Sequence, residues 1–430
     1  MRNRYQRILK QDSDLWSAVS AMECHGAFDN IAWNVISPVI VLYTLWIVTE
    51  AEKQGVKRLF FLARDGYLMH DVAETLCKTR KNGIICSYFL CSRYALRMAA
   101  YRFFDESAYD RLFLHAFRQT AQCMLGRIGF DANERKRLYA DISFPCEQEH
   151  SILGRSEFDS FCAKVRDSAV FREILSQKSE AAYSDTIGYI RQEGMQDYDT
   201  VGIVDLGWTG SLQMTLRRLL DSEHIQTRII GFYMGMLDKP PSKASSVYRT
   251  WLFDENDLLV KSWFSHNLME CICSAPHGMT MGYQSYQGRF IPILAKAENP
   301  SEKSERLRCL IDRMIRPFDE KLTYQSRHKT IALRLLRKLM LSPTEAEAMA
   351  LSCYRFCDDV GEQYHRSIVQ SGKPLDFRKE LLIFKPFYRD STDGFYWYYG
   401  SVTVSRLIIK MFYRYEYLLT RYMIMKLKRG

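Results

Sequence analysis

The chain has 430 residues, of which 47% are hydrophobic and 26% charged, which is the balance of a folded globular protein with a large core. This composition excludes a disordered chain, and the formal charge of +10 favours an anionic partner: a phosphorylated metabolite, a membrane surface or nucleic acid. The amino terminus lacks the apolar run of a signal peptide, and the 12 cysteines show no paired metal-ligand spacing. We therefore expect a cytoplasmic protein with free thiols.

Hydrophobic periodicity near the amino terminus predicts a helix followed by a strand–helix–strand unit. Residues 36–53 are predicted to be helical, and the uncharged stretch 31–49 is interpreted as a buried helix rather than a membrane span. The short apolar run 58–63 predicts a strand, a helix follows over 68–76, and 84–91 predicts a second strand. Strands this apolar indicate a parallel sheet covered on both faces by helices.

The next part of the chain predicts a helical insertion and then a return to the sheet. The pattern is helical and charged over about 95–198, after which 200–204 predicts another buried strand. A helix is expected from Leu212, 229–234 predicts a further strand, and 251–260 is a candidate sheet element. Together these elements predict an α/β protein with a Rossmann-like, mostly parallel sheet.

The stretch 298–301 is the best linker candidate, so we predict an α/β domain over 1–297 and a mainly helical region over 298–430. From Ser405, a terminal helix would separate a basic stripe from an apolar stripe. The basic stripe is Arg406, Lys410, Arg414, Arg421 and Lys428, and the apolar stripe is Leu407, Ile408, Met411, Phe412, Leu418 and Leu419. Such a helix either lies on the anionic inner face of the plasma membrane or packs on the core with its basic face solvated.

The loop that ends in Ser211 carries the strongest functional signal. An apolar strand is predicted to end in Asp205, and a helix opens after Gly207 at Thr209 and Gly210. Free backbone N–H groups and the positive end of that helix suit a phosphate. Asp205 is suited to sugar hydroxyls or Mg²⁺. The alternative is an ordinary strand–turn–helix corner, because short glycine motifs occur by chance.

A second loop, Arg64-Asp65-Gly66, stands in the same position between a predicted strand and a predicted helix. Arg64 is suited to a diphosphate because its guanidinium donates two parallel hydrogen bonds. Ser92 and Arg93 follow the next predicted strand, and the carboxyl ends of parallel strands meet at one edge of a sheet. We therefore predict one shared anion pocket, the alternative for Arg64 being a surface arginine beside a tight turn.

Several polar residues outside these loops remain open to two interpretations. His277 lies in a predicted loop and is either a base or substrate contact, or a histidine satisfied by local hydrogen bonds. Glu270, which precedes it, is equally ambiguous. Asp358 and Asp359 have the composition of a metal pair, but a solvated helix face is the preferred interpretation.

Three segments carry a resemblance to modules of bacterial surface-polysaccharide proteins. They are Phe61-Leu62-Ala63-Arg64-Asp65-Gly66-Tyr67-Leu68, Ser92-Arg93-Tyr94-Ala95-Leu96 and Val204-Asp205-Leu206-Gly207-Trp208-Thr209-Gly210-Ser211. Those modules are often labelled haloacid-dehalogenase-like (HAD-like) and often sit beside glycosyltransferase or phosphatase domains. The same segments also resemble type I phosphoribosyltransferases, which use phosphoribosyl pyrophosphate (PRPP) and Mg²⁺.

The resemblance implies a transferase that moves 5-phosphoribosyl from PRPP to a glycan acceptor, lipid-linked in surface-polysaccharide synthesis, with a separate phosphatase or glycosyltransferase as partner. It implies 5-phosphate contacts from Thr209, Gly210 and Ser211, ribose contacts from Asp205, and pyrophosphate contacts from Arg64, Gly66 and Arg93 with bridging Mg²⁺. Asp65 or Asp205 would take the proton of the acceptor. The sequence departs from the family pattern at Val204, where a second acid is usual.

Two other function classes compete with the transferase. A HAD phosphatase needs an aspartate nucleophile two residues before a second aspartate, and aligning Asp65 as the second places Ala63 at the nucleophile. A non-catalytic anion-binding module is suggested by the net charge. No long basic run or nucleic-acid motif accompanies that charge, so we expect no nucleic-acid partner.

Overall fold

The structure is a computed structural model that describes residues 4–103, 109, 112–113, 120–238, 246–317, 323–357, 365–384 and 394–428. It is a mixed α/β protein, 57% helical, built on a five-stranded parallel sheet. The predicted α/β class is therefore confirmed. The Asp358–Asp359 pair lies outside the described residues.

The central sheet has the strand order β2-β1-β3-β4-β5, and all neighbouring strands are parallel. The strands are β1 (Arg58–Leu62), β2 (Ile85–Phe89), β3 (Thr200–Trp208), β4 (Arg228–Met236) and β5 (Ser246–Phe253). The four strands expected from apolar runs are present, because runs this apolar are stable only where both faces of a sheet are covered.

The predicted sheet element over 251–260 is correct only for its first residues. β5 ends at Phe253, and a helix, Leu258–Trp263, replaces the rest. The break is a polar turn in which the backbone N–H of Asn256 donates to the Asp254 carboxylate and that of Asp254 to the Asp257 carboxylate. These local bonds satisfy the backbone in place of a sheet ladder.

The uncharged stretch near the amino terminus forms a central helix of the core. The helices before and after β1 are α1 (Gln6–Leu9), α2 (Ser13–Ser20), α3 (Ala27–Ile31), α4 (Ser37–Lys53) and α5 (Tyr67–Arg80), with a π-helical turn joining α3 to α4. Ala27–Lys53 is the one described helix long and apolar enough to cross a membrane, and its most apolar window is entirely buried within the protein. The predicted buried helix is therefore present.

The insertion between β2 and β3 is helical, as predicted. Its helices are α6 (Arg93–Ala100), α7 (Ala121–Gly126), α8 (Ala132–Asp141), α9 (Arg155–Asp167) and α10 (Ala169–Gln192). The middle of the insertion has an apolar core of its own, which includes Leu125, Leu138 and Val165. Its two ends return to the sheet, where α6 and α10 share a core with Phe60 and Ile203.

The remaining elements pack on both faces of the sheet. They are α11 (Ser211–Ser222), α12 (Leu258–Trp263), α13 (His266–Cys273), the hairpin β6 (Thr280–Tyr286) and β7 (Arg289–Leu294), α14 (Ser301–Ile315), α15 (Ser326–Leu341), α16 (Glu345–Leu351), β8 (Arg355–Phe356), β9 (Arg366–Ser367), α17 (Pro374–Lys379), α18 (Tyr398–Val404) and α19 (Lys410–Leu427). The helices after residue 297 pack on the core that contains α4 and one face of the sheet. The division into an α/β domain over 1–297 and a mainly helical region over 298–430 remains a prediction.

The terminal helix α19 begins at Lys410 rather than at Ser405, and most of its apolar stripe is exposed, which departs from the alternative of an apolar face packed on the core. The Lys410 ammonium donates to the Thr403 carbonyl at 2.6 Å, and Arg421 donates to the Phe264 carbonyl at 3.2 Å. Met411 is 61% exposed. Much of the predicted basic stripe therefore faces the protein, because carbonyls at nearby helix ends attract long cationic side chains.

Candidate functional site

A crevice opens in the sheet because β3 and β4 extend beyond β1. β1 pairs with β3 only as far as Phe61 opposite Val204, whereas β3 pairs with β4 as far as Trp208 opposite Met236. The prediction that Asp205 ends its strand is therefore wrong. Asp205 lies inside β3, which continues to Trp208 because it pairs there with β4. The crevice lies between β1 and β3, where the order of the strands reverses, and open α/β sheets bind ligands at such a switch point.

A cavity of about 260 Å³ occupies this crevice. Nine of the predicted site residues line it: Arg64, Asp65, Ser92, Arg93, Asp205, Gly207, Thr209, Gly210 and Ser211. The predicted meeting of the loops after β1, β2 and β3 in one pocket is confirmed. Gly66 and His277 are not among the lining residues.

The part of the cavity that suits a phosphate group is the amino terminus of α11. Gly210 is the N-cap, with φ at +64°, and no side chain caps the first N–H groups of the helix. A residue with a Cβ would be strained in this left-handed conformation. Thr209 is exposed and Ser211 half-buried beside these N–H groups, so the helix end presents backbone and hydroxyl donors to the cavity.

The position of α11 is set by a buried hydrogen-bond chain to the sheet. Tyr233, on β4, donates from its hydroxyl to Gln213 at 2.7 Å, and the Gln213 amide donates to the carbonyls of Ile229 and Val247 at 3.4 and 3.3 Å. Gly207 allows β3 to approach β4 here, since a Cβ would stand 2.6 Å from the Gly235 carbonyl oxygen. The helix end is therefore held rigidly relative to the crevice.

Three carboxyl groups meet on one side of the cavity: Asp65, Asp205 and Glu270. Burial raises the pKa of Asp65, as does the charge of Asp205. Burial and the charge of Glu270 raise the pKa of Asp205, whereas the Leu206 N–H, which donates to its carboxylate at 2.9 Å, lowers that pKa. Burial raises the pKa of Glu270 to about 7. The cluster therefore retains protons near neutral pH, which is the condition for proton transfer.

The arginines of the two loops offset this carboxyl charge. Arg64 and Arg93 each lower the pKa of Asp65, and both also lower that of Glu270. Arg93 is the first residue of α6 and is exposed at the mouth of the cavity. The site thus combines cationic and anionic groups, so a ligand with negative groups and hydroxyls finds a partner for each.

One wall of the cavity comes from α13, which sequence reasoning largely missed. His266, Asn267 and Glu270 lie near one another on this helix because residues four apart share a face. Burial, together with the charges of Arg421 and Arg93, lowers the pKa of His266 to about 3, so the imidazole is neutral. The signal available beforehand was the spacing of His266 and Glu270 in an otherwise apolar segment.

Trp208 adds a buried donor to the same wall. Its side chain lines the cavity, and the indole Nε1 has no hydrogen-bond partner among the described residues, although its proximity lowers the pKa of Glu270. The residue holds a φ of +78°, and its ring lies 5.8 Å from that of His266. A buried N–H without a partner is costly, and an acceptor in the cavity would relieve that cost.

Two predicted contact residues have hydrogen-bond partners within the protein, and a third, Gly66, is required by close packing. The Ser92 hydroxyl donates to the Thr280 carbonyl at 2.6 Å and caps α6 by accepting from Ala95 at 3.0 Å. His277 bonds to the Tyr88 hydroxyl at 2.8 Å, which agrees with the interpretation of a locally satisfied histidine. A Cβ on Gly66 would stand 2.7 Å from a carbonyl oxygen of β1, so close packing of the turn requires glycine there.

The two aspartates fit Mg²⁺ that arrives with a phosphorylated ligand. Among the described residues, no three His, Cys, Asp or Glu side chains form a metal-ligand group. Mg²⁺ commonly binds through one or two carboxylates, with waters and substrate phosphates completing the shell. The repulsion between Asp65 and Asp205, which raises the pKa of Asp65, is the kind that a divalent cation relieves.

Taken as chemistry, the cavity offers one anion position at the end of α11, a second between Arg64 and Arg93, and carboxyl groups able to exchange a proton. A scan of the chain against protein-family models finds no match, and a search of curated proteins finds none.

Proposed function

We propose that the chain is a PRPP-dependent phosphoribosyltransferase that transfers 5-phosphoribosyl to a glycan acceptor in surface-polysaccharide synthesis and releases pyrophosphate. The observation that carries the proposal is the arrangement of the switch crevice, where the capless end of α11 and the pair Arg64 and Arg93 line one cavity with the Asp65–Asp205 pair. The resemblance of the loops to surface-polysaccharide modules supports the glycan acceptor.

The 5-phosphate would bind at the amino terminus of α11. Free backbone N–H groups and the positive helix end favour a dianion there, and Thr209 and Ser211 add hydroxyl donors. Gly210 leaves space for the phosphate to approach the backbone. The carboxylate of Asp205, which lines the same cavity, would accept hydrogen bonds from the ribose hydroxyls.

The pyrophosphate would lie against Arg64 and Arg93. As the bond between the anomeric carbon and pyrophosphate breaks, negative charge grows on the leaving group, and fixed guanidinium groups stabilise that charge more than the ground state. Mg²⁺ held by Asp65 and Asp205 would supply further neutralisation of the phosphates. The neutral His266 and the unpaired indole N–H of Trp208 are positioned to orient ligand oxygens.

The proton of the acceptor hydroxyl would pass to the carboxyl cluster. In the balanced step, the acceptor oxygen bonds to the anomeric carbon, pyrophosphate leaves with the electron pair, and the hydroxyl proton moves to a carboxylate. A base with a pKa near the working pH is the most effective, and the raised pKa of Glu270, about 7, meets that condition. Ala63 also lines the cavity, which leaves the HAD alternative without its nucleophile.

Calorimetric titration with PRPP and MgCl₂ tests the proposal. We expect saturable binding by the wild type, stronger than that of ribose 5-phosphate or pyrophosphate alone, and a loss of about tenfold or more in Asp205→Ala. Glu173→Gln, which changes an exposed carboxylate of the insertion, should bind like the wild type. Absence of saturable PRPP binding would refute the proposal, and release of inorganic phosphate from sugar phosphates would favour a phosphatase.

A further inference from the structure

The outer face of α19 is apolar and exposed. Its stripe residues are Met411 (61% exposed), Phe412 (48%), Tyr415 (61%) and Leu419 (49%), and the turn before the helix adds Ile408 (100%) and Ile409 (62%). Residues three, four and eight positions apart share one helix face, so these side chains form a continuous strip, which we call the α19 stripe. Contiguous apolar patches of this kind on a protein surface indicate a binding partner.

The opposite face of α19 is fully used by the protein. Tyr417 stacks on Tyr398 with ring centroids 3.8 Å apart, and Thr420 is buried and accepts from the backbone N–H of Leu382 at 2.8 Å. Arg414 donates to the Thr403 hydroxyl at 2.5 Å and Arg421 to the Phe264 carbonyl at 3.2 Å. The helix is therefore fixed in this orientation, and the α19 stripe has no place in the core.

The surroundings of the α19 stripe are cationic. Arg406 stands before the helix, and Lys426 and Lys428 stand at its end, all three exposed. Between residues 405 and 428 the sequence has six Lys or Arg and a single acid, Glu416. A second copy of this chain would bring the same cations to the contact, whereas an anionic bilayer offers both an apolar interior and opposite charge.

We propose that the α19 stripe docks the protein on an anionic lipid surface, with the apolar side chains in the interfacial layer and Arg406, Lys426 and Lys428 at the headgroups. A helix lying in the plane of the membrane binds through apolar burial plus electrostatic attraction, and both terms are present here. The contact face is most of the apolar stripe expected from the sequence, while Lys410, Arg414 and Arg421 of the basic stripe bond within the protein. The inference stands on the surface of α19 and does not depend on PRPP binding in the cavity.

Flotation of the full chain with lipid vesicles tests the proposal. We expect binding to vesicles of phosphatidylcholine with about 30% phosphatidylglycerol, weaker binding to phosphatidylcholine alone, and a decline as NaCl is raised. The double variant Phe412→Ser/Leu419→Ser should bind about tenfold more weakly, because it removes apolar burial. Ile152→Ser/Met349→Ser is the matched control, since these side chains are 52% and 56% exposed elsewhere, and it should bind like the wild type.

Charge is tested separately with Arg406→Gln/Lys426→Gln/Lys428→Gln, which should remove the preference for phosphatidylglycerol. All substituted side chains are exposed, so unchanged thermal unfolding verifies the fold. A wild type that does not float, or a Phe412→Ser/Leu419→Ser variant that floats like the wild type, overturns the proposal. A dimer in vesicle-free solution that this variant abolishes would assign the α19 stripe to a second copy instead.

Discussion

Asp65, in the turn after β1, meets Asp205, inside β3, in the switch crevice, where the charge of Asp205 adds to burial in raising the pKa of Asp65. The contact exists because β3 continues past the end of β1. Burying two acids beside each other disfavours their charged forms and raises their pKa values. Such destabilising arrangements are concentrated at sites that bind a ligand or transfer a proton.

This pair predicts a pH dependence of stability. The folded chain retains protons that unfolded carboxylates lose above about pH 4, so the stabilisation is full below that pH and is lost as pH rises through the raised pKa values. Asp65→Asn removes one titrating group and the repulsion. Between about pH 5 and pH 8, its free energy of unfolding should therefore fall by roughly 1–3 kcal/mol less than that of the wild type. Its melting temperature should also fall less over this range.

Thermal unfolding by circular dichroism at several pH values measures this difference. Glu173→Gln, at an exposed carboxylate, should follow the wild-type curve. Parallel curves for Asp65→Asn and the wild type would contradict a raised pKa in the cluster.

Gly210→Ala should weaken PRPP binding by about tenfold, because a side chain at the N-cap strains a φ of +64° and so displaces the N–H groups at the helix end. The strain should also lower the free energy of unfolding by about 1 kcal/mol. Gly288→Ala is the matched control, since Gly288 has a φ of +75° in the β6–β7 turn and open space around its Cβ position. It should lose similar stability and keep its affinity; equal loss of binding in both variants would argue against the phosphate position.

Arg64→Ala and Arg93→Ala should each weaken PRPP binding by about 1.5–3 kcal/mol, the value of a hydrogen bond to a charged group. The variants should also bind pyrophosphate more weakly but should bind ribose 5-phosphate like the wild type, because the two arginines are proposed to contact only the pyrophosphate group. Arg137→Ala, which removes an exposed ion pair with Glu173, is the control. Equal losses for the two partial ligands in calorimetry would show that the assignment of the two anion positions is wrong.

Tyr43→Phe should weaken PRPP binding, because Tyr43 supports the backbone of Asp205 without lining the cavity. The Tyr43 hydroxyl lies 2.7 Å from the Asp205 carbonyl oxygen and 2.9 Å from that of Phe232, so it ties β3 to β4 beneath the cavity. Its loss should cost about 1–3 kcal/mol of stability by leaving buried acceptors unpaired. Tyr398→Phe also removes a buried hydrogen bond, to the Phe377 carbonyl at 3.1 Å, but away from the cavity.

The two tyrosine variants separate stability from positioning. Both should melt earlier in thermal unfolding, and Tyr43→Phe alone should bind PRPP more weakly. Unchanged affinity in Tyr43→Phe would mean that Asp205 does not need this support.

The loops of the candidate site were predictable because their placement follows a local rule. The apolar run before Arg64 and the run before Asp205 each read as a buried strand, and strands of a parallel sheet present their carboxyl ends at one edge. The wall of α13 was not predictable in this way. His266 and Glu270 reach the cavity because α13 folds back over the end of β3, which no residue pattern near them indicates.

Local sequence alone determined the first four strands of the sheet, the sheet class and the loops that meet at the crevice, since periodicity and turn residues act over a few positions. Only the tertiary structure decided how far β3 runs, because its last residues are held by pairing with β4. The tertiary structure also decided which face of α19 is exposed: Arg421 is drawn inward by the Phe264 carbonyl, while Met411 is left in solvent. An amphipathic pattern defines two faces, but the groups packed against the helix select the one that turns inward.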